Sequence, residues 1–470
     1  MILQKAYELV WGAPALALIL GVGVYLSVRS GFAQLRLFPA AVRRFCGRLL
    51  GKEKTSDGTS SFRALCTALA ATVGTGNLAG VAGAISIGGP GAIFWMWICG
   101  ILGMMLKFSE AVLAVRYRRK NGSGEWVGGP MYVILGGMGE KYRILATVYS
   151  FFGVIAAFGV GNATQINTVI RSIAGGLSCF RLEMPPWGNL ALGAALAALI
   201  GLMLLGGARR IGRAAEKLVP FVAALYLLLC LLVLVLRLGE VPRAFATILE
   251  GAFSPSAVTG GAVGSAIGAL RIGVSRGVFT NEAGMGTAGI AHAAADVKHP
   301  VEQGIMGIVE VFVDTIVICT LTALVILCSG VKIPYGQDVG ISLTTAGFTA
   351  VLGPWVSVAI SLALCLLALA TVLGWGLYGI RCAQFLFGDG AWKPFVFLQA
   401  FTVVLGAVLQ TGTVWRLAEI VNGLMAIPNL LALGILTPEV VKLTKEYEKK
   451  GSTTSARGGY DENLRQSQPL

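Results

Sequence analysis

The sequence predicts an all-α integral membrane protein with about eleven transmembrane helices, ten of them in a five-plus-five inverted repeat with two broken helices. Three observations lead to this prediction. Only 13% of the 470 residues are charged, about half the share found in soluble globular proteins. Hydrophobic residues make up 56% of the chain, and they fall into runs long enough to cross a bilayer. So few charges could not cover a soluble protein of this size, which excludes a cytosolic enzyme, a secreted domain and a disordered scaffold.

The hydrophobic runs supply the predicted spans, because about 20 helical residues cross a hydrocarbon core of ~30 Å. The first run is too long for a signal peptide and meets basic residues at its far end, so it is expected to remain as an extra helix. Residues 1–437 are predicted to form one transmembrane domain, and residues 438–470 a largely disordered cytoplasmic tail. The spans are expected near residues 9–28, 64–87, 91–115, 144–170, 187–206, 218–236, 258–278, 303–328, 353–379, 395–410 and 414–436.

Basic residues are divided unevenly between the two sides of these spans. The net charge of +14 is spread over short segments between hydrophobic runs, which argues against a nucleic-acid partner. Alternate loops carry 29 and seven Lys and Arg residues, and the larger set, which includes Arg271 and Arg276, is expected in the cytoplasm. The N-terminus is therefore predicted outside the cell membrane and the C-terminus inside.

Ten spans remain after the first, and they divide into two sets of five, at about 64–236 and 258–436. Because five is odd, the second set must run opposite to the first, as in the inverted repeats of transporters. The opening helix of each set should then be the broken one. The first carries Gly74-Thr75-Gly76-Asn77, and the second carries glycines at 260, 261, 264, 268 and 273. Glycine-broken helices in corresponding positions indicate a transporter's binding site.

The Gly74-Thr75-Gly76-Asn77 segment has a chemical use if its helix unwinds. Backbone N–H groups freed at the start of a half-helix suit a carboxylate, and freed carbonyls suit a hard cation such as sodium. The alternative is that Gly76 and Gly80 form a G-x-x-x-G pattern that only allows close helix packing.

Two further side chains inside predicted spans each allow two interpretations. Gln165, with Asn162 one turn earlier, would either donate to a substrate carboxylate or form an interhelical hydrogen bond. Trp375 would either form a wall against an apolar substrate side chain or anchor its helix at the membrane interface. Thr371, one turn before Trp375, offers a hydroxyl oxygen to a cation.

Ionisable residues inside spans are functional candidates because their burial in a membrane is costly. Glu310 and Asp314 are four residues apart and share a helix face. They would relay protons, line the cytoplasmic path or pair with Arg271 or Arg276. Lys107 and Glu110 are expected to pair and to extend toward the inner membrane surface. The candidates for a gate or a proton path are Arg276, Glu282, Glu310 and Asp314.

Several longer motifs occur in order along the chain, namely Gly74-Thr75-Gly76-Asn77-Leu78-Ala79-Gly80-Val81, Gly277-Val278-Phe279-Thr280-Asn281-Glu282-Ala283-Gly284-Met285-Gly286, Ala291-His292-Ala293-Ala294-Ala295 with His299-Pro300, Val311-Phe312-Val313-Asp314-Thr315 with Cys319-Thr320, and Gly374-Trp375 with Tyr378-Gly379. In these motifs the chain resembles the alanine or glycine:cation symporter family. The resemblance extends in family order over about residues 8–440, and the Asn-Glu-Ala-Gly stretch is its most specific part.

The resemblance implies a leucine-transporter-like fold and uptake of small neutral amino acids, chiefly alanine or glycine, coupled to sodium or in some members to protons. It implies that broken-helix carbonyls hold the amino group. The chain has Ala370-Thr371 where the family often has Ser-Thr, so one hydroxyl ligand is absent. By this resemblance the substrate-binding residues are Thr75, Gly76, Asn77, Gln165 and Trp375, and the sodium-binding residues are Ala70, Val73 and Thr371.

Other classes of function fit the sequence less well. A channel would need a continuous polar pore, and no filter-like repeat is present. An enzyme is not expected, because the chain has no zincin motif, nucleophile elbow or histidine-rich cluster. The nine cysteines contain no C-x-x-C pair and are typical of small core residues. The expected partners are an amino acid, Na⁺ as the coupling ion and the lipid bilayer, with no other cofactor and no obligate protein partner.

Overall fold

The structure is a computed structural model that describes residues 10–49, 59–178, 182–185, 187–261, 263, 265–409 and 412–450. Among these residues, seven helices are long and apolar enough to cross a membrane, or nine if each of two bent helix pairs forms one span. Their outer faces expose large apolar side chains, such as Leu228 at 64% and Phe397 at 68%. Such a surface is suited to lipid rather than water.

The described chain is almost entirely helical. Its strands are Arg119–Lys120 and Trp126–Val127, which pair as an antiparallel hairpin. Four segments are π-helical, namely Gly76–Gly80, Ile134–Met138, Gly159–Ala163 and Phe312–Cys319, and three are 3₁₀, namely Glu140–Tyr142, Leu238–Glu240 and Asp389–Ala391. The remaining helices are Ala13–Arg29, Ala33–Arg36, Phe38–Leu49, Ser61–Thr72, Val81–Gly88, Ala92–Arg116, Pro130–Val133, Arg143–Phe158, Thr164–Ser178, Gly188–Leu205, Gly207–Leu236, Val241–Phe253, Pro255–Thr259, Ala266–Asn281, Thr287–His292, Pro300–Val311, Thr320–Cys328, Ile341–Leu352, Val356–Phe387, Trp392–Val408, Gly412–Ile435 and Thr437–Lys450.

The first broken helix consists of Ser61–Thr72 and Gly76–Gly88, whose axes differ by 51°. Val73 ends the first half in an extended conformation, with ψ of 100°. In a continuous helix the Gly74 N–H would bond to the Ala70 carbonyl, but it donates to Asn77 Oδ1 at 2.9 Å. The interruption therefore lies within the predicted Gly74-Thr75-Gly76-Asn77 segment.

The second broken helix consists of Ala266–Asn281 and Thr287–His292. Its interruption spans residues 282–286, beyond the glycines at 260–273 that the sequence singled out. The helix Pro255–Thr259 does end at Gly260, where Gly260 and Gly261 have positive φ, and the next helix begins at Ala266. These two glycines therefore interrupt the start of the predicted span 258–278, but they are not the break that faces the first broken helix. Gly273 lies in regular helix, where a Cβ would come within 2.3 Å of the Ala92 carbonyl oxygen. It serves close packing. The helix ends because Glu282, Gly284 and Gly286 all have positive φ, at 53°, 90° and 80°.

A surface helix, Thr437–Lys450, extends beyond the last predicted span and follows Gly412–Ile435. Glu439 pairs with Arg116 at 3.0 Å and accepts a hydrogen bond from Tyr117, and Glu448 pairs with Arg36 at 3.0 Å. Burial and the Glu439 carboxylate raise the pKa of Tyr117 to about 12. The part of the tail at 438–450 is thus helical and attached, and residues 451–470 lie outside the described chain.

Candidate functional site

Thr75 and Gln165 are in direct contact inside the helix bundle. Thr75 immediately precedes the second half of the first broken helix, and its Oγ1 donates to Gln165 Oε1 at 3.2 Å. The Gln165 amide donates in turn to the Val160 carbonyl at 3.1 Å. Both side chains are almost fully buried. Two residues predicted to bind a carboxylate therefore form one hydrogen-bonded unit.

The π-helical segment Gly159–Ala163 contains Asn162 and ends just before Gln165. The two amide side chains make contacts in different directions. Asn162 donates instead to the Gln399 carbonyl at 2.8 Å, on the adjacent helix Trp392–Val408. Asn162 thus makes an interhelical hydrogen bond, while Gln165 reaches the first broken helix. The two amides, which look alike in the sequence, have different partners.

Trp375 is in the interior, at 1% exposure, so the interpretation as an interfacial anchor is wrong. The predicted span ended at residue 379, but the helix continues to Phe387, which places Trp375 well before its end. A Cβ at Gly161 would lie 2.3 Å from the Trp375 Cβ, so only glycine lets the π-helical segment approach this closely. The indole Nε1 donates to Glu282 Oε1 at 3.0 Å, and Thr287 donates to Glu282 Oε2 at 2.6 Å.

Gly76 lies where the two broken helices touch. A Cβ built on it would be 3.3 Å from Thr280 Cγ2 and 3.6 Å from the Phe279 ring. A side chain at this position would press on the last turn of Ala266–Asn281. The packing of the two breaks against each other thus depends on the absence of a side chain at Gly76.

The residues predicted to bind a cation also lie close together. A Cβ at Gly74 would be 2.7 Å from Thr371 Oγ1, and one at Gly374 would be 3.0 Å from the Ala71 nitrogen. The helix Val356–Phe387 therefore passes directly beside the first break. This contact brings the Thr371 hydroxyl to the stretch from Ala70 to Val73, where the Ala70 carbonyl lacks its usual helical donor. Carbonyl and hydroxyl oxygens are ligands that suit a hard cation.

Asp314 links the two broken helices through a chain of hydrogen bonds. Asn77 Nδ2 donates to Asp314 Oδ1 at 2.7 Å and to its carbonyl at 3.1 Å. The Thr315 hydroxyl donates to Asp314 Oδ2 at 2.9 Å, and Asn281 Nδ2 donates to that hydroxyl at 3.1 Å. Asn77 and Asn281 come from the first and second broken helices. Asp314 is fully buried between them.

Glu310 is buried one helical turn before Asp314. Its partners differ from Arg271 and Arg276, which the sequence offered as one alternative. Lys107 Nζ lies 3.0 Å from Glu310 Oε1, and His292 Nε2 lies 2.9 Å from Glu310 Oε2. Gln303 Nε2 lies 2.7 Å from His292 Nδ1. The Gln303 amide can donate to Nδ1, which leaves Nε2–H of a neutral imidazole to donate to Glu310. The alternative of a pair with Arg271 or Arg276 is wrong.

Glu110 does not pair with Lys107, and neither side chain extends to the surface, since both are buried. Glu110 Oε1 accepts from the backbone N–H groups of Gly284 and Gly286 at 2.9 and 3.0 Å. Asn429 Nδ2 adds a third bond at 2.8 Å. The two bonds from Gly284 and Gly286 satisfy backbone N–H groups that the second break leaves without helical partners. Glu110 therefore stabilises the open backbone of that break.

Arg276 lies on the other side of the bundle from the one predicted. It pairs with Asp338 at 3.0 Å, in the same loop as Lys332, which belongs to the smaller set of basic residues. A Cβ at Gly83 would be 3.2 Å from Asp338 Oδ1, so the pair rests on the second half of the first broken helix. Arg271 and Arg276 therefore belong to the side with fewer basic residues, contrary to the prediction. The opposite side still carries the excess of Lys and Arg.

Sequence reasoning missed several residues of this site, among them Thr280, Asn281, Thr315 and Asn429. A signal was present, because each is a polar side chain within or beside a hydrophobic run, where an unpaired polar group is costly. Their partners could not be assigned, since the hydrogen bonds join residues distant in the chain.

The comparisons with known proteins agree with this architecture. The sodium:alanine symporter family model matches residues 1–458. The chain is 42% identical to the sodium/alanine symporter AgcS of Methanococcus maripaludis, over 94% of this chain and 95% of that protein. It is 36% identical to the probable sodium/glutamine symporter GlnT of Bacillus subtilis, over 95% of this chain and 90% of that one. The crystal structure of MhsT in complex with L-phenylalanine matches 83% of this chain and 99% of its own, with a TM-score of 0.57 and 15% identity.

The several apolar helices and the match to a symporter family model define a multi-pass membrane transporter, and its helical fold is shared with MhsT. The chain belongs to the sodium:alanine symporter family. Its members are amino-acid symporters and not enzymes.

Proposed function

We propose that this protein is a sodium-coupled symporter that carries small neutral amino acids, alanine or glycine, into the cell by alternating access. The observation that carries the proposal is the convergence of both helix breaks on Thr75, Gln165 and Trp375. A hydroxyl and an amide next to freed backbone N–H groups suit a carboxylate. A fixed indole suits a small apolar side chain. The alanine named for the relative AgcS, at 42% identity, supports the same substrate class.

In this proposal Thr75, Gly76, Asn77 and Gln165 surround the substrate carboxylate, and Trp375 borders its side chain. Carbonyls of the two breaks accept from its amino group. Sodium is a cargo ion held by the carbonyls of Ala70 and Val73 and by the Thr371 hydroxyl. Because freed carbonyls exist only while the helix stays broken, ion binding and substrate binding favour the same backbone conformation. Such mutual stabilisation is what coupling requires.

The topology that goes with this function has eleven spans, with Ala13–Arg29 as the extra helix and the other ten in two inverted sets of five. Its basic face is cytoplasmic, so the N-terminus is outside the cell membrane and the C-terminus inside. Arg276 and Asp338 would then close the outer side. The two sets would move against each other around the site between the breaks.

A proton-coupled symporter is the second candidate. Glu282 and Asp314 are buried carboxyl groups that accept hydrogen bonds from uncharged side chains, namely Trp375 and Thr287 for Glu282 and Asn77 and Thr315 for Asp314. A buried carboxylate without a positive partner favours uptake of a proton. A relative at 33% identity carries the name putative sodium/proton-dependent alanine carrier protein YrbD, in Bacillus subtilis.

Uptake of radiolabelled alanine into proteoliposomes distinguishes these candidates when a sodium gradient and a pH gradient are imposed separately. We expect uptake with an inward sodium gradient and little response to the pH gradient alone. Equal uptake in sodium-free buffer on a pH gradient would instead support Glu282 or Asp314 as the proton carrier. Counterflow, in which labelled alanine exchanges for unlabelled alanine, separates either carrier from a channel.

A further inference from the structure

A cavity of about 230 Å³ opens on the side of the bundle that carries the larger set of basic residues, here called the basic face, and its lining includes Lys120 and Arg209. The first broken helix begins and the second ends beside this cavity. Thr59, two residues before the first broken helix, and Ala294, two residues after the second, both line it. Arg381, on the helix that carries Trp375, lines it as well. Arg381 is six residues beyond Trp375, which corresponds to about 9 Å along a helix. The cavity therefore lies between the candidate site and the basic surface.

A second cavity of about 250 Å³ lies beside the first. Both are lined by Ala208, Glu125 and Arg381. Arg381 Nη2 lies 2.9 Å from Glu125 Oε2, and Nη1 donates to Gln384 at 2.9 Å. The Arg381 side chain is 9% exposed and that of Glu125 is 32% exposed. This ion pair therefore borders both cavities.

Glu125 belongs to the hairpin at residues 119–127, where its backbone is hydrogen-bonded to Asn121. Asn121 Oδ1 accepts from the Glu125 N–H at 2.9 Å, and the Asn121 N–H donates to the Glu125 carbonyl at 3.0 Å. Arg118, at the base of the hairpin, stacks 4.3 Å from the centre of the Trp126 ring. The Arg118 guanidinium also donates to the carbonyls of Ala293 and Ala295, just beyond the second broken helix.

The first broken helix is attached at the same place. Ala295 forms a parallel bridge with Thr59, and the Asp296 N–H donates to the Thr59 carbonyl at 2.8 Å. The hairpin thus connects three elements that border the cavity: the start of the first broken helix, the end of the second, and the helix with Arg381. The Gly122 N–H of the same hairpin also donates to Asp389 Oδ2 at 3.2 Å, just beyond the helix that carries Arg381. Of these two contacts with acidic side chains, the Arg381–Glu125 pair is the one that lines both cavities.

We propose that this cavity is the vestibule through which the amino acid leaves, and that the Glu125–Arg381 pair is the latch that closes it. The proposal rests on the proposed function for the identity of the cargo. The carboxylate of an amino acid is the same chemical group as the side chain of Glu125. A substrate that arrives from the candidate site can therefore replace Glu125 on Arg381, since guanidinium binds either carboxylate in the same forked geometry. Arrival of the substrate then opens the latch.

The latch can be tested by thiol labelling, which does not require transport. Ala208→Cys places a thiol on the lining of both cavities, in a background in which Cys179 and the exposed Cys46 are replaced by serine. A membrane-impermeant maleimide is added to the basic side of purified protein in vesicles. We expect Glu125→Gln to speed labelling about 5-fold, the population shift expected from losing a partly buried ion pair. Glu140→Gln is the matched control, because its pair with Arg143 on the same face is exposed and borders neither cavity.

Two further labelling measurements test whether the charges of Glu125 and Arg381 keep the cavity closed. The double variant Glu125→Arg with Arg381→Glu restores the pair in reverse and should return labelling to the slow rate. Alanine added to the basic side should speed labelling of the parent but not of Arg381→Gln. Equal rates in Glu125→Gln and Glu140→Gln would overturn the latch, and an alanine effect that persists in Arg381→Gln would overturn the role of Arg381. The proposed function is tested separately, because it fails if the parent protein does not take up alanine. The labelling rates of Glu125→Gln and Glu140→Gln without alanine test the latch whatever the cargo is.

Discussion

The indole Nε1 of Trp375 donates a hydrogen bond to Glu282 Oε1 at 3.0 Å. Glu282 is the first residue of the second break and has a left-handed backbone conformation, with φ of 53°. The bond therefore fixes the ring that borders the proposed side-chain pocket to the open part of the second broken helix. Any movement of that break changes the position of the indole.

Replacing Glu282 should widen the range of accepted substrates. Glu282→Ala removes the acceptor and lets the indole rotate, whereas Glu282→Gln keeps a carbonyl oxygen that can accept. We expect Glu282→Ala to reduce the preference for alanine over leucine about 10-fold, a typical effect of pocket size. Glu282→Gln should stay near the parent value. The measurement is the inhibition of labelled alanine uptake by each amino acid; an unchanged preference in Glu282→Ala would show that the bond does not set the pocket.

Gln165→Ala should weaken substrate binding by about 1–3 kcal/mol, because a charged carboxylate would lose a buried hydrogen bond. This corresponds to about 5- to 150-fold in apparent affinity. Asn162→Ala is the matched control, since the Asn162 side chain donates to the Gln399 carbonyl on a neighbouring helix and its loss should affect stability rather than affinity. Affinity is measured by binding of labelled alanine to purified protein. Equal affinities in the two variants would assign Gln165 to helix packing.

Gly76→Ala should abolish transport in protein that still folds. The added Cβ would come 3.3 Å from Thr280 Cγ2, closer than ordinary contact, and it would push the two breaks apart. Gly434→Ala is a suitable control, because a Cβ at this helical glycine meets nothing within 4 Å and alanine favours helix. Uptake and thermal unfolding are measured on both variants. Normal transport by Gly76→Ala would show that transport does not depend on the close contact between the two broken helices at Gly76.

The sequence was a good guide wherever a local pattern decides the structure. Hydrophobic length located the helices Ala92–Arg116 and Gly188–Leu205 to within a residue or two of the predicted spans. Gly74-Thr75-Gly76-Asn77 located the first break, because glycine and asparagine are poor helix formers and the Asn77 side chain supplies the acceptor for the freed N–H.

The break at residues 282–286 lies beyond the glycines that the sequence singled out, because glycine alone does not distinguish an opening from close packing. Gly273 fits regular helix against Ala92. The interruption at 282–286 instead needs Glu110 to accept from its N–H groups and Asn429 to donate to Glu110 and to the Gly284 carbonyl, and both residues come from other helices. Similarly, the partners of Glu310 could not be read from its neighbours in the chain. Its pairing with Lys107 joins residues about 200 positions apart, and only the packed bundle determines such contacts.

The buried pair of Lys107 and Glu310 offers a test of stability that is independent of transport. Both side chains are almost fully shielded from solvent, at 0% and 1% exposure, with 3.0 Å between Nζ and Oε1. Lys107→Met should lower the free energy of unfolding by about 3–5 kcal/mol, because it leaves a buried carboxylate without its positive partner.

Adding Glu310→Gln to Lys107→Met removes the remaining charge while keeping an oxygen that can accept from His292. The double variant should therefore be more stable than Lys107→Met alone. Arg143→Met serves as the control, since it breaks an ion pair whose side chains are 65% and 62% exposed and should leave the unfolding temperature nearly unchanged. Thermal unfolding of the purified variants in one detergent gives the comparison. If the double variant unfolds at a lower temperature than Lys107→Met, the cost of the single change does not come from an unpaired charge, and the geometry of the bonds around Glu310 matters more than the compensation of its charge.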